Sequence, residues 1–160
     1  MREMTDEEIG YVLNHAKWGT ICTVTPENRP YAVEATPYRD GGDICFMINP
    51  GGGTWRNLNQ NPHVLVKMTL ASRSLSWWAG VSCMGTARFD DDPDAIYRGF
   101  QRLGLVMGAD YSAAAAKHSQ TPENSPLLRV TTETRTGRCS AGPGEPLTVH
   151  IDSAKERSST

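Results

Sequence analysis

The chain has 160 residues, of which 38% are hydrophobic and 21% charged, and its net charge is −2. This composition is typical of one globular domain and excludes a disordered chain or two ordinary domains. The small negative charge gives no electrostatic reason to expect nucleic acid or a membrane surface as a partner. No apolar run is long enough to span a bilayer, and the polar first residues are unlike a signal peptide, so we expect a cytoplasmic protein.

The first part of the chain predicts a helix followed by a strand. Thr5 and Glu8 have the spacing of a capping box, and apolar residues then recur at helical spacing. We expect this helix to end at Gly19 and a strand to cover residues 20–24, which are rich in β-branched side chains.

The middle of the chain predicts three more strands and a short helix. The strands are expected over residues 30–38, 44–49 and 64–70, with a turn at residues 40–42 between the first two. A glycine-rich loop over residues 50–53 leads into a polar helix over residues 54–60, which Pro62 prevents from continuing.

The last part predicts a long strand, a helical insertion and a closing strand. The long strand covers residues 75–89 and contains Gly80 and Gly85, which we expect to mark bulges or barrel corners. A run of carboxylates and Pro93 predicts the start of the helix. The closing strand covers residues 126–139.

Short loops between these strands indicate one domain over residues 1–139 that is mainly β, a small antiparallel β-barrel with flanking helices. Residues 140–160 are rich in Gly, Pro and Ser and have little periodicity. We expect them to form a C-terminal arm or a disordered tail.

The strongest candidate for ligand binding is the turn from Asn49 to Asn57. Its glycines allow a ligand to come close to the backbone, and free amides at a helix start favour a phosphate. Thr54 adds a hydroxyl, and Arg56 adds a positive charge suited to phosphate oxygens. A plain connection between a strand and a helix would look similar, so the turn alone does not decide between the two.

Trp77 and Trp78 form the second candidate. Adjacent residues of a strand point to opposite faces, so one ring is expected in the core and the other against a partner subunit or a flat ligand. One core and one surface tryptophan would explain the pair equally well.

Sequence patterns of metal sites and of hydrolytic enzymes are absent. The cysteines stand singly, the histidines are dispersed, and no motif of a catalytic serine, a catalytic cysteine or a dinucleotide-binding loop occurs. We therefore expect no metal site and assign no catalytic residue. A histidine ligand to haem stays open, and any chemistry would come from a cofactor.

These features together resemble the FMN-binding split-barrel family of pyridoxamine 5'-phosphate oxidase, and most of all its nitroimidazole-resistance-type members. The resemblance rests on residues 29–36, on the turn at residues 40–42, on residues 85–89, and above all on the asparagine–leucine–x–x–asparagine–proline element over residues 57–62. It runs from about Thr5 to Cys139.

The resemblance implies a split β-barrel that forms a homodimer with two FMN sites at the subunit interface. It implies an FMN-dependent oxidoreductase acting on a small-molecule substrate. The second subunit would contribute the segment at Trp77 and Trp78. The cofactor-binding residues implied are Val33, Glu34, Ala35, Thr36, Met47, Ile48, Asn49, Thr54, Trp55, Arg56, Asn57, Trp77 and Trp78.

The sequence departs from the family pattern at two positions. Family members often carry a lysine where this chain has Thr54, and a histidine where it has Met47. Arg56, nearby on the helix, could replace the missing lysine, and the loop could also serve a deazaflavin.

Three hypotheses follow from the sequence. The first is a flavoprotein oxidoreductase that reduces a small, planar, electron-poor substrate, for which a nitroaromatic is one candidate. The second is a dimeric protein that holds flavin or haem without turnover. The third is a dimeric scaffold whose cofactor site has decayed.

Overall fold

The computed structural model describes residues 1–147. Within them the helices are α1 (Asp6–His15), α2 (Gly53–Gln60), α3 (Pro93–Met107) and α4 (Ser112–Ser119). The strands are β1 (Arg2–Glu3), β2 (Gly19–Val24), β3 (Pro30–Ala35), β4 (Pro37–Asp40), β5 (Asp43–Met47), β6 (His63–Ala71), β7 (Trp78–Phe89) and β8 (Leu127–Cys139).

One antiparallel sheet contains all these strands, in the order β3-β2-β6-β7-β8-β5-β4, with β1 paired to β8. The outermost strands β3 and β4 are consecutive in the chain and are joined by Thr36 alone. The sheet therefore curls until its two edges meet at this residue and diverge beyond it. This curled sheet confirms the predicted split barrel.

Two apolar clusters hold the fold together. The larger one fills the barrel and includes Phe46, Val66 and Val130, all fully buried. The smaller one lies under α3. The strand β5 contributes to both clusters, because Phe46 faces the barrel and Cys45 faces α3. Burial on both faces explains the unbroken apolar run from Ile44 to Met47 in β5.

The capping box of α1 is confirmed, with Thr5 and Glu8 each accepting a hydrogen bond from the other's backbone amide. The predicted helix end was wrong, however. The helix stops at His15 and is capped at Ala16, while Gly19 is the first residue of β2. A Cβ atom at Gly19 would lie 3.2 Å from the ring of Phe46, so this glycine serves packing in the barrel.

The predicted strand over residues 30–38 is divided in the structure. Ala35 pairs with Gly19 on one edge of the sheet, whereas Pro37 pairs with Phe46 on the other. The strand predicted to begin at residue 75 begins at Trp78, because residues 72–77 form a turn in which the Ser72 amide bonds to the Trp77 carbonyl.

Gly80 and Gly85 of β7 were expected to mark bulges or barrel corners, and a bulge is found at Gly85. The register shifts between Met84 and Gly85, and a Cβ at Gly85 would collide with the Thr131 carbonyl. Gly80 is regularly paired on both sides, so it does not mark a bulge.

The helical insertion and the closing strand agree with the sequence. Asp92 caps α3 and Pro93 opens it, but α4 and β1 were not predicted. The part of the predicted tail that is described packs on the body, with Ala141 and Leu147 buried. The prediction for residues 148–160 lies outside the described residues, and the domain boundary at residue 139 stays a prediction.

Candidate functional site

A cleft of about 300 Å³ lies where the two edges of the sheet diverge. It is bounded by β3, by the end of β5 and by the start of α2. Among the predicted site residues, those that line it are Val33, Glu34, Ala35, Met47, Ile48, Asn49 and Thr54. The fold thus brings together predicted residues from three segments that are separated in sequence, namely β3, the end of β5 and the start of α2.

The first wall of the cleft is the inner face of β3. Tyr31, Val33 and Ala35 alternate along this strand and are half-buried, because β3 is an edge strand of the sheet formed by residues 1–147. The Glu34 side chain points to the opposite face of β3, where its carboxylate accepts a hydrogen bond of 2.6 Å from the Thr20 hydroxyl. This wall is therefore mainly apolar.

The second wall is formed by Met47 and Ile48, both half-buried. The Ile48 amide donates to the Pro126 carbonyl, which fixes the end of β5 against the start of β8. Behind Met47 lies α3, where a Cβ at Gly99 would lie 3.0 Å from the Met47 sulfur. The methionine that replaces the family's histidine thus fills the space between the cleft and α3.

The third side of the cleft is the N-terminal end of α2. Its cap residue, Gly52, provides no side-chain cap. Within residues 1–147 the amides of Gly53, Thr54 and Trp55 have no hydrogen-bond partner, nor has the hydroxyl of the buried Thr54. These donors and the positive end of the helix dipole can bind an anionic group such as a phosphate.

Tyr31 is a cleft residue that the sequence reasoning missed. A Cβ at Gly53 would lie only 2.6 Å from the Tyr31 hydroxyl, so the glycine lets β3 approach the start of α2. Tyr31 could have been found from the two-residue repeat of a strand, which puts its side chain on the same face of β3 as Val33 and Ala35.

Three predicted residues of α2 lie away from the cleft. Trp55 packs toward Phe89, with 5.9 Å between ring centroids. The Asn57 amide is buried and donates to the Thr23 hydroxyl at 3.0 Å, which fastens α2 to β2. Arg56 is exposed, and its guanidinium donates to the Gly51 carbonyl.

The remaining predicted residues are also placed outside the cleft lining. Thr36 is buried and donates to the Met107 sulfur. Trp77 lies in the barrel core, and Trp78 lines a separate groove with Lys67 and Arg135. A single chain therefore does not bring the tryptophans to the cleft.

The electrostatics of the cleft differ from the expected pattern. Its lining contains no lysine, arginine or histidine among the described residues. His15 stacks on Tyr11 and His118 on Phe100, while His63 lies in a groove on the outer face of the sheet. Positive potential in the cleft therefore comes from the backbone amides of α2.

The other chemical groups offer no second centre. In the described part of the chain no group of His, Cys, Asp or Glu side chains could hold a metal ion. Burial raises the pKa of Cys45 to about 11, so its thiol is neutral. None of the helices within residues 1–147 is long and apolar enough to cross a membrane.

Comparison with known proteins decides the family. The sequence profile described as pyridoxamine 5'-phosphate oxidase matches residues 5–139. The chain belongs to this family. The match confirms the resemblance seen in the sequence and covers every element from α1 to β8. No curated protein sequence matches the chain significantly.

Solved structures share the fold at low sequence identity. A candidate 5-nitroimidazole antibiotic resistance protein from Bacteroides thetaiotaomicron has a TM-score of 0.69 at 16% identity, over 86% of each chain. An FAD-binding protein from Mesorhizobium loti has a TM-score of 0.63 at 19% identity, over 88% of this chain and 97% of its own. A heme storage protein from Vibrio cholerae has a TM-score of 0.61 at 19% identity, over 81% of this chain and 90% of its own.

Proposed function

We propose that this family member binds FMN in the cleft and acts as an oxidoreductase on a small, planar, electron-poor substrate. The observation that carries the proposal is the uncapped N-terminal end of α2 beside two apolar walls. The amides of α2 suit a phosphate, and the walls suit a flat ring.

The two ends of the cleft differ. Tyr31 lies beside Gly53 at the start of α2, and Ala35 lies at the other end of β3. The four steps along the strand span roughly 13 Å. We therefore place the phosphate near Gly53 and Thr54 and the flavin ring near Ala35 and Met47.

The residues present fit FMN with one difference from the family pattern. The Thr54 hydroxyl and the three free amides would hold the phosphate without a lysine. Arg56 stays a predicted contact that would first have to leave the Gly51 carbonyl. Bound FMN would supply two-electron redox chemistry, while the protein orients the ring and shields one face.

A second copy of the chain would complete the site, as the family resemblance implies. One protomer leaves the cleft open, and its volume of about 300 Å³ is at the lower limit for ligand sites. An apolar groove on the outer face of the sheet, lined by Val24, Leu65 and Met84, is a suitable subunit contact. We propose a cytoplasmic homodimer in which Trp78 meets the partner's flavin.

Haem is the less favoured cofactor. One structural relative is described as a heme storage protein. Yet no histidine of the described residues lines the cleft, and Tyr31 and Met47 are the candidate axial ligands there.

The visible absorption spectrum and mass of the copurifying small molecule test the proposal. We expect flavin bands and the mass of FMN, either on purification or after FMN is added and free ligand is removed. A protein that stays colourless after this treatment would refute flavin binding. A Soret band after addition of haem, without flavin bands, would favour the haem alternative.

A further inference from the structure

The Tyr31 hydroxyl lies at the end of the cleft where α2 begins. A Cβ atom on Gly53 would lie 2.6 Å from this hydroxyl, 2.8 Å from the ring atom Cζ and 3.2 Å from Cε2. The edge of the tyrosine ring is therefore in contact with the first residue of α2. Tyr31 and Gly53 both line the cleft, and Tyr31 is half-buried. A phosphate bound at the start of α2 would thus lie next to the tyrosine.

Three amides and two hydroxyls without a partner lie at this end of the cleft. The amides of Gly53, Thr54 and Trp55 are free within residues 1–147. Thr54 is only 6% exposed, and its hydroxyl, like that of Tyr31, makes no hydrogen bond within the same residues. A buried polar group without a partner is unfavourable. A ligand that offers several oxygen atoms at this place would satisfy these donors together.

The number and the neutrality of these donors suit a terminal phosphate. A phosphate monoester, as in FMN, has three terminal oxygens and a charge of about −1.5 to −2 at pH 7. In FAD the same phosphate is a diester, with two free oxygens and a single charge. The monoester would satisfy more of the donors, and its larger charge would interact more strongly with the dipole of α2.

The tyrosine ring also limits how far a ligand can extend. The contact between the Tyr31 ring and Gly53 closes the space between β3 and α2 at this point. A ligand that continues past its first phosphate, as FAD does, would meet the ring. FMN ends at its phosphate and would not.

We propose that Tyr31 determines the choice of flavin, because its hydroxyl donates to a terminal phosphate and its ring blocks the larger FAD. The proposal rests on the proposed function, since it assumes a flavin phosphate at the start of α2. It adds a specificity that the proposed function does not contain, namely discrimination between FMN and FAD by one side chain.

Titration calorimetry with FMN, riboflavin and FAD tests the proposal. We expect the wild type to bind FMN about tenfold or more tightly than FAD. Tyr31→Phe should weaken FMN about fivefold, the effect of one hydrogen bond, and leave riboflavin unchanged. Tyr31→Ala should also remove most of the preference for FMN over FAD, because it opens the end of the cleft. Tyr97→Phe, at a tyrosine of α3 that is 39% exposed, is the matched control and should change no affinity.

Three results would overturn the proposal. The first is equal affinity of the wild type for FMN and FAD. The second is an equal loss of FMN and riboflavin affinity in Tyr31→Phe, which would show that the hydroxyl only supports packing. The third is an unchanged preference for FMN over FAD in Tyr31→Ala. Thermal unfolding checks that the variants are folded.

A measurement without flavin separates failure of this proposal from failure of the proposed function. If no flavin binds, the proposed function is refuted, and methyl phosphate and dimethyl phosphate are used as probes. Methyl phosphate should shift the NMR signals of the Gly53 and Thr54 amides more than dimethyl phosphate does, and Tyr31→Phe should weaken this binding. Absence of the shifts, or the same shifts in Tyr31→Phe, would overturn Tyr31 as a phosphate contact.

Discussion

Thr54 is buried at the second position of α2, where its free hydroxyl lines the cleft. A threonine at this position can donate one hydrogen bond to a phosphate, whereas the lysine common in the family would also supply charge. Binding without that charge relies on backbone amides, whose number is fixed by the helix. The cofactor affinity of this chain should therefore depend on salt less than that of a lysine-bearing relative.

Thr54→Val tests the hydroxyl with almost no change in shape. Loss of one hydrogen bond should weaken FMN by about 1 kcal/mol, or roughly fivefold, and leave riboflavin binding unchanged. Quenching of flavin fluorescence measures both affinities. Thr69→Val, on the exposed face of β6, is the control. An equal loss for FMN and riboflavin would show that Thr54 does not contact the phosphate.

Arg56→Ala tests the other phosphate contact. The Arg56 guanidinium is held by the Gly51 carbonyl, so we expect less than a threefold loss of FMN affinity, by the same assay. A loss of about 1.5–3 kcal/mol, the value of a charge-assisted hydrogen bond, would instead show that the guanidinium turns to the phosphate.

At the scale of elements, α1 is fastened through Glu8. This carboxylate caps the Thr5 amide, receives two hydrogen bonds from Arg2 and accepts one from the Leu147 amide. One side chain thus joins α1, β1 and the segment after β8. The hydrogen bonds from Arg2, aided by these amides, lower the pKa of Glu8 to about 2.

The low pKa of Glu8 predicts a stability term that depends on pH. Because the folded pKa lies below the ordinary value of 4.5, the term is fully present above pH 4.5 and is lost as the pH falls toward 2. Glu8→Gln should cost about 1 kcal/mol at pH 7, since the ion pair is partly exposed to solvent. Urea unfolding of the wild type and of Glu8→Gln at pH 7 and pH 3 measures the difference in their free energies of unfolding. A difference between the two proteins that does not shrink at pH 3 would contradict this account.

A second network joins the β4–β5 hairpin to the barrel. Arg129 of β8 contacts Asp90 at 2.5 Å, Asp40 at 2.7 Å and Asp43 at 3.8 Å. Burial alone would lower the pKa of Arg129, but the hydrogen bonds to Asp90 and Asp40 outweigh it and raise the pKa. The charge of Arg129 is therefore maintained, and its loss would leave the partly buried Asp90 short of positive charge.

Arg129→Met should lower the free energy of unfolding by about 3 kcal/mol, because it removes one side of a largely buried ion pair. Arg98→Met is the matched control, since Arg98 and Asp92 form an exposed pair at 3.8 Å. The control should change stability by less than about 1 kcal/mol. Equal effects of the two substitutions in urea unfolding would contradict the assigned role of Arg129.

Local signals in the sequence predicted some elements well and could not predict others. The capping box of α1, the glycine-led start of α2 and the alternation of β6 depend on neighbouring residues, and all three are found. The break at Thr36 depends on which strands pair with each half, and residues 30–38 look like one strand. The position of Arg56 on the Gly51 carbonyl likewise depends on loop geometry that composition does not encode.

At the scale of the whole molecule, the outer face of the sheet carries the case for a dimer. Met84 is 53% exposed and Val24 38%, beside the half-buried Leu65. These residues lie across β2, β6 and β7, on the side of the sheet opposite to the barrel core. An apolar sheet face of this kind is suited to burial against a second copy.

Met84→Glu should separate the proposed dimer, because it places a charge in the apolar contact. We expect light scattering to show monomer mass and flavin affinity to fall at least tenfold, since each site would lose its partner residues. Leu105→Glu adds the same charge on α3 and should leave the mass unchanged. A Met84→Glu protein with the mass of wild type would exclude this face as the interface.

The most direct test of the central claim compares FMN with riboflavin in binding to the purified wild-type protein. The account predicts one FMN per chain and an affinity for FMN at least tenfold above that for riboflavin, because only FMN carries the phosphate that the end of α2 can bind. Equal affinities, or no binding of either flavin, would contradict the account.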